Sequence, residues 1–144
     1  VRTVPRSRAN PQYGEAPLSA ALSGYQIGYC RIPALGGLRK RAPAVPDWVN
    51  GWWKNRSFHN YADHALSGEF RSALEELIEL GRSRPLAFMC SEAVWWRCHR
   101  RIIADHLIAR GETVLHLMGS SKVEPAQLSE GAQARGAEVT YPLA

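Results

Sequence analysis

A chain of 144 residues with 45% hydrophobic and 22% charged side chains has the size and composition of one globular domain, and this excludes disordered and collagen-like classes. No window approaches the roughly 18 apolar residues of a membrane span. The N-terminus is basic and polar, without an apolar signal core, so a cytoplasmic protein with no membrane partner is expected. Three cysteines make no paired disulfide framework, which suits a reducing compartment and leaves the thiols free for packing or chemistry. The positive charge is regional: residues 1–60 carry nine Lys and Arg against two acids, and residues 61–144 carry nine against eleven. Such an excess favours anionic partners, small molecules or nucleic acid.

Val1-Arg2-Thr3-Val4 is β-prone and runs into Pro5, which ends or edges a strand. A basic loop follows, and Pro17 to Tyr25 reads as a short helix with Leu18, Ala21, Leu22 and Tyr25 on one side. Pro17 suits the first helical position. Tyr29-Cys30-Arg31-Ile32 reads as a strand closed by Pro33, and a loop of about 25 residues without strong periodicity follows, a length that is usually functional.

Residues 59–67 read as a short helix. Glu69 to Leu80 is a clear amphipathic helix, with Phe70, Ala73, Leu74, Leu77 and Ile78 on one face and Gly81 as its stop. The unbroken apolar run Pro85 to Cys90 has the pattern of a strand buried on both faces, as in a parallel sheet. A helix from about Trp96 to Arg110 and a strand from Thr113 to Leu117 follow. Helix, strand, helix, strand in that order predicts one α/β domain over 1–144, three layers deep, with a short, mainly parallel sheet and helices on both faces. Glu138 to Tyr141 is a late edge strand.

The reactive side chains cluster at Met89-Cys90-Ser91-Glu92 and Arg97-Cys98-His99-Arg100, where a strand's carboxyl end meets the next helix. Ligands of open parallel sheets bind at such places. Cys98, near a helix N-terminus and flanked by Arg97, His99 and Arg100, is the candidate thiolate, while Cys90 closes an apolar strand and is expected to be more buried. Glu92 is the candidate acid/base. Both cysteines packing, with Glu92 paired to Arg97 or Arg100, is the competing structural account. Arg2, Ser7, Arg97 and Arg100 with a helix N-terminus form a candidate anion pocket, and Gly36-Gly37 would allow close backbone approach. No metal or cofactor is expected: the spacing lacks the paired motifs of common zinc sites, and neighbours on a helix point in different directions. A disulfide between Cys90 and Cys98 needs Cα atoms within about 7 Å. In the loop Asp47 to Arg56, tryptophans alternate with cations, a pattern that suits stacking on single-stranded bases or, more simply, pinning the loop to the core.

Arg2-Thr3-Val4-Pro5-Arg6-Ser7-Arg8, Leu35-Gly36-Gly37-Leu38, Ser57-Phe58-His59-Asn60-Tyr61-Ala62-Asp63, and Cys90-Ser91-Glu92 with Cys98-His99-Arg100 resemble the motifs of the bacterial domain-of-unknown-function family 488. The resemblance implies an α/β fold and brings no settled activity. Relatives usually begin with a Thr-Ile-Gly-His-Ser-like strand and a helix, and the chain is expected to lack both. Such a gap would leave a sheet edge open to another chain and so to a homodimer. The functional expectation is an enzyme acting on an anionic, nucleotide-like or nucleic-acid-like substrate, with Cys98, Glu92, Cys90 and His99 at its centre. A non-catalytic nucleic-acid-binding or protein-interaction module is the alternative.

Overall fold

In a computed structural model that describes residues 1–143, four helices and two hairpins enclose the core. The helices are α1 (Glu15–Ser23), α2 (Arg56–His64), α3 (Gly68–Ser83) and α4 (Arg100–Ala109). The strands are β1 (Leu115–Met118), β2 (Lys122–Pro125), β3 (Gln133–Arg135) and β4 (Glu138–Thr140), paired antiparallel as β1-β2 and β3-β4. The expected three-layer domain with a mainly parallel sheet is therefore overturned. Only antiparallel neighbours pair, each across a turn that needs little chain closure.

The reason lies in Pro85 to Cys90. This run is extended but makes no ladder, and it stays largely exposed, Met89 at 44%. Its one backbone partner of long reach is the nitrogen of Val1, which donates to the Met89 carbonyl at 3.0 Å. Across from it, β1 pairs only with β2, and a cleft of about 470 Å³ separates Leu86 to Met89 from Leu115 to Met118. An apolar run announces a need for burial without naming the partner, and here no strand pairs with it among the described residues. Val1 to Val4 and Tyr29 to Ile32, also expected as strands, carry no ladder either.

The helices follow their local chemistry. Ser67 caps α3 by accepting from the Phe70 N–H at 3.2 Å, and Phe70, Ala73, Leu74 and Leu77 turn inward. The helix does not stop at Gly81. It runs on to Ser83 and ends where Pro85 forces Arg84 into extended backbone. The Asn55 side-chain Oδ1 caps α2 by accepting from the Ser57 and Phe58 N–H groups. The helix expected from Trp96 is instead a 3-10 turn over Trp95–Arg97, a break at extended Cys98, and α4 from Arg100.

Buried residues from Ile32 to Tyr141 form one cluster. Its polar centre is Asn50, whose amide donates to Asp63 at 2.7 Å while its carbonyl accepts from the Tyr141 N–H at 3.0 Å. The Tyr141 hydroxyl donates to Asp105 at 2.8 Å, and Asp105 also accepts from the Ser129 N–H at 2.8 Å. Asn50→Ala leaves a buried carboxylate oxygen without its donor, and unfolding in urea should show a loss of about 1–3 kcal/mol at unchanged m. An unshifted midpoint would remove Asn50 from the centre of the fold.

Candidate active site

The break between the 3-10 turn and α4 builds the site. Cys98 has extended backbone and His99 caps α4, so neither lies on the regular helix that would have pointed them apart. Their side chains converge: Cys98 Sγ lies 3.6 Å from His99 Nδ1, and these atoms with Cys90 Sγ all fall within 4.8 Å of one another. The expectation that Cys98 and His99 diverge fails because the helix starts later than its apolar period suggests.

The tautomer of His99 follows from its other contact. Nε2 meets the Val1 carbonyl at 2.9 Å, and a carbonyl only accepts, so the proton sits on Nε2 and the lone pair on Nδ1 faces the sulfur. Burial lowers the His99 pKa and keeps the ring neutral at physiological pH. Tyr61 packs on it with ring centroids 4.7 Å apart. Gly37 leaves it room, since a Cβ there would come within 3.0 Å of Nδ1. Gly36 likewise admits the Thr3 backbone, at 2.6 Å from a would-be Cβ. The two glycines thus make space for the chain's own parts.

Arg100 closes the cluster. Its backbone N–H and Nε–H point at Cys98 Sγ from 3.4 and 3.2 Å, and its Nη2 donates to the Glu92 carbonyl. The two thiols act as one acid with two steps. The first proton leaves easily: the Cys90 thiol is drawn down to about 4, chiefly by the adjacent Cys98 thiol and also by the backbone of Glu92 and Ser91. The second is held, because Cys98, beside that negative sulfur and 1% exposed, is raised above the usual thiol range. The accessible, ionised sulfur is thus Cys90, half-buried, and the enclosed protonated one is Cys98. This reverses the burial order expected from the apolar run before Cys90.

Two sulfurs and an imidazole are a soft donor set, one ligand short of a closed tetrahedral centre. The Arg100 guanidinium against Cys98 already sets positive charge beside the pair, so the geometry favours a thiolate held by protein donors.

The remaining expected site residues lie apart from the sulfurs. The Glu92 side chain is exposed and enters no ion pair among the described residues; the residue joins the cluster through its carbonyl. Arg97 is exposed. Ser7 accepts from the Asn10 N–H at 3.0 Å, and the charge of half-buried Arg2 acts on Tyr29. In the tryptophan loop, Trp53 is buried and Trp52 half-buried, both beneath the Arg101 guanidinium, while Trp48 is 66% exposed. The inner pair is pinned to the core. Tyr61, which holds the Leu35 carbonyl at 2.7 Å and packs on His99, was not singled out from the sequence as a site residue. Its i, i+3 spacing from His64 on an aromatic face is the available signal.

The family described as Domain of unknown function DUF488 matches residues 1–107, three quarters of the chain, ending within α4 and including the whole thiol cluster. The chain belongs to this family. No curated protein and no solved structure matches it.

If the Cys98 S–H holds the first thiolate of this DUF488 site, Cys98→Ala should move the alkylation midpoint of Cys90 up from about 4 toward the free-thiol value near 8.5. At pH 6 the rate should fall at least tenfold, since fewer sulfurs are ionised there, and the loss should vanish above pH 9. Iodoacetamide kinetics resolved by peptide mass would show it, and a profile identical to the unaltered chain would refute the shared proton.

Proposed function

We propose that this DUF488 chain is an enzyme that uses the Cys90 thiolate as a nucleophile on an anionic substrate, nucleotide-like molecules included. The observation that carries this reading is the convergence of Cys90 Sγ, Cys98 Sγ and His99 Nδ1 within 4.8 Å of one another, with Arg100 hydrogen-bonded to the inner sulfur. A thiol ionised near pH 4 is fully thiolate at neutral pH, and sulfur stays nucleophilic in that form.

In the step envisaged, Cys90 Sγ forms a bond to an electrophilic carbon or phosphorus, and the bond to the leaving group breaks, its electron pair departing with that group. Cys98 S–H is the nearest proton for it. His99, neutral and tied to Val1, orients Cys98 and is a positioning residue. Arg100 faces both the sulfur and the 470 Å³ cleft lined by Phe88, Met89, Trp95 and His116, a volume within the usual range for small-molecule sites. There Trp95 and His116 stack in parallel, with centroids 4.1 Å apart. The substrate's body lies along this wall and its negative group against Arg100. Glu92 holds Arg100 in place through its carbonyl.

Two alkylating agents of nearly equal size, one anionic and one neutral, test the reading. Relative to a free thiol, Cys90 should prefer iodoacetate over iodoacetamide at pH 6, and Arg100→Gln should reduce that preference severalfold. Glu92→Gln, which keeps the carbonyl, should leave it unchanged. No preference for the anionic reagent in the unaltered protein would sink the anionic-substrate assignment, and a rate that tracks an ordinary thiol would sink the nucleophile.

A further inference from the structure

A second cleft, of about 720 Å³, opens between α3, the end of α4 and the β3-β4 hairpin. None of its walls belongs to the thiol cluster. His106 and Arg110 stand four residues apart on one face of α4 and line it. His106 is 2% exposed, and its Nε2 has no hydrogen-bond partner. Nε and Nη1 of Arg110 are also buried and unpartnered.

Charge in this cleft is sorted by depth. Arg71, Arg82 and Arg135 alternate with Glu75, Glu79 and Glu138 around it, all exposed. The only ion pair that any of these six enters among the described residues is Arg82 with Glu112. Exposed charges of both signs are screened by water and nearly cancel. The enclosed polar atoms differ: the Arg110 guanidinium only donates, and burial, with that charge beside it, keeps the His106 ring neutral with a single N–H, which is free to donate in the Nε2–H tautomer. A guanidinium with two enclosed nitrogens and no acceptor for either is under-compensated, and it answers best to a group with two or more acceptor oxygens.

We propose that this cleft binds a small oxyanion, a phosphate or carboxylate group, held by Arg110 and His106. Arg110 carries the charge and His106 adds a directional donor, while Phe70 fixes the imidazole edge-on with centroids 5.1 Å apart. The rim arginines admit the anion, and the rim glutamates leave room for a cationic or hydroxylated remainder of the ligand.

Thermal unfolding of the 144-residue chain in inorganic phosphate, acetate and chloride at matched ionic strength tests this. A specific ion at about a hundred times its Kd should raise the midpoint by roughly 5–10 °C over chloride. The larger rise identifies the phosphoryl or the carboxyl form of the ligand. Arg110→Gln should abolish the difference, whereas Glu76→Gln, exposed on α3 and outside the cleft, should keep it. Equal midpoints in all three salts, or a rise retained in full by Arg110→Gln, overturns the proposal, the latter because general salting effects act on both proteins alike. If Arg110→Gln does not fold, calorimetric titration of the unaltered chain with inorganic phosphate decides instead: saturable one-site heat supports the site, and its absence overturns it. Neither result touches the thiol reading, whose readout is Cys90 alkylation.

Discussion

The arrangement depends on one buried polar chain running through Asn50, Tyr141 and Asp105. Asn50 lies in a loop, Tyr141 just past β4 and Asp105 on α4, and their hydrogen bonds join parts of the sequence 91 and 36 residues apart. Burying an amide and two carboxylates is costly unless every group finds a partner. Here the cost enforces position: Asp63 and Asp105 are each met by donors, although burial still raises both carboxyls. Backbone bonds from Trp52 to Tyr141 and from Leu143 to Trp48 then clasp the tail against the loop. With small sheets and short helices, this clasp supplies long-range order that a continuous sheet would otherwise provide.

Fixing α4 in this way also fixes where it starts, and the thiol site follows from that start. Arg101 reaches Ser129 at 2.8 Å and covers Trp52 and Trp53, so the first turn is anchored on its inner side. The preceding residues must leave the helix, and extended Cys98 followed by His99 at the cap brings the two side chains together. Arg100, at the first helical position, has its own N–H free of an intrahelical partner and spends it on the Cys98 sulfur. A helix beginning at Trp96 would have used that N–H internally. The meeting of Arg100 with the Cys98 sulfur is in this sense a product of a late helix start.

Much of the helical content was legible because it is locally encoded. The α3 apolar set repeats at helical spacing, and β4 and the end of β1 show as short apolar or β-branched runs. The parallel sheet was not legible, because Pro85 to Cys90 states its apolarity but not its neighbour, and the pairing that formed joins strands already close in sequence. The site was half legible. Residue types and local charge pointed to Cys90, Cys98, His99 and Arg100, and the three donor atoms do meet. Which sulfur is enclosed could not be read, because it depends on a 3-10 turn and a break that no hydrophobic period records. The missed Asn50 has the same cause: its burial comes from partners 13 and 91 residues away.

The basic N-terminal half also means something more specific than an anionic partner. Several of its cations hold the chain's own oxygens: Arg39 donates to the Pro33 and Gly36 carbonyls at 2.8 and 3.0 Å, Arg31 reaches the Thr3 carbonyl and Glu15, and Lys54 holds the Gly51 carbonyl. Arg41 pairs with Asp47. A loop without ladder hydrogen bonds leaves carbonyls in need of donors, and long guanidinium side chains satisfy them while their stems cover apolar surface. Part of the regional excess is therefore structural. The count of nine cations therefore overstates the free charge of this half, since Arg31, Arg39, Arg41 and Lys54 are engaged with the chain's own oxygens.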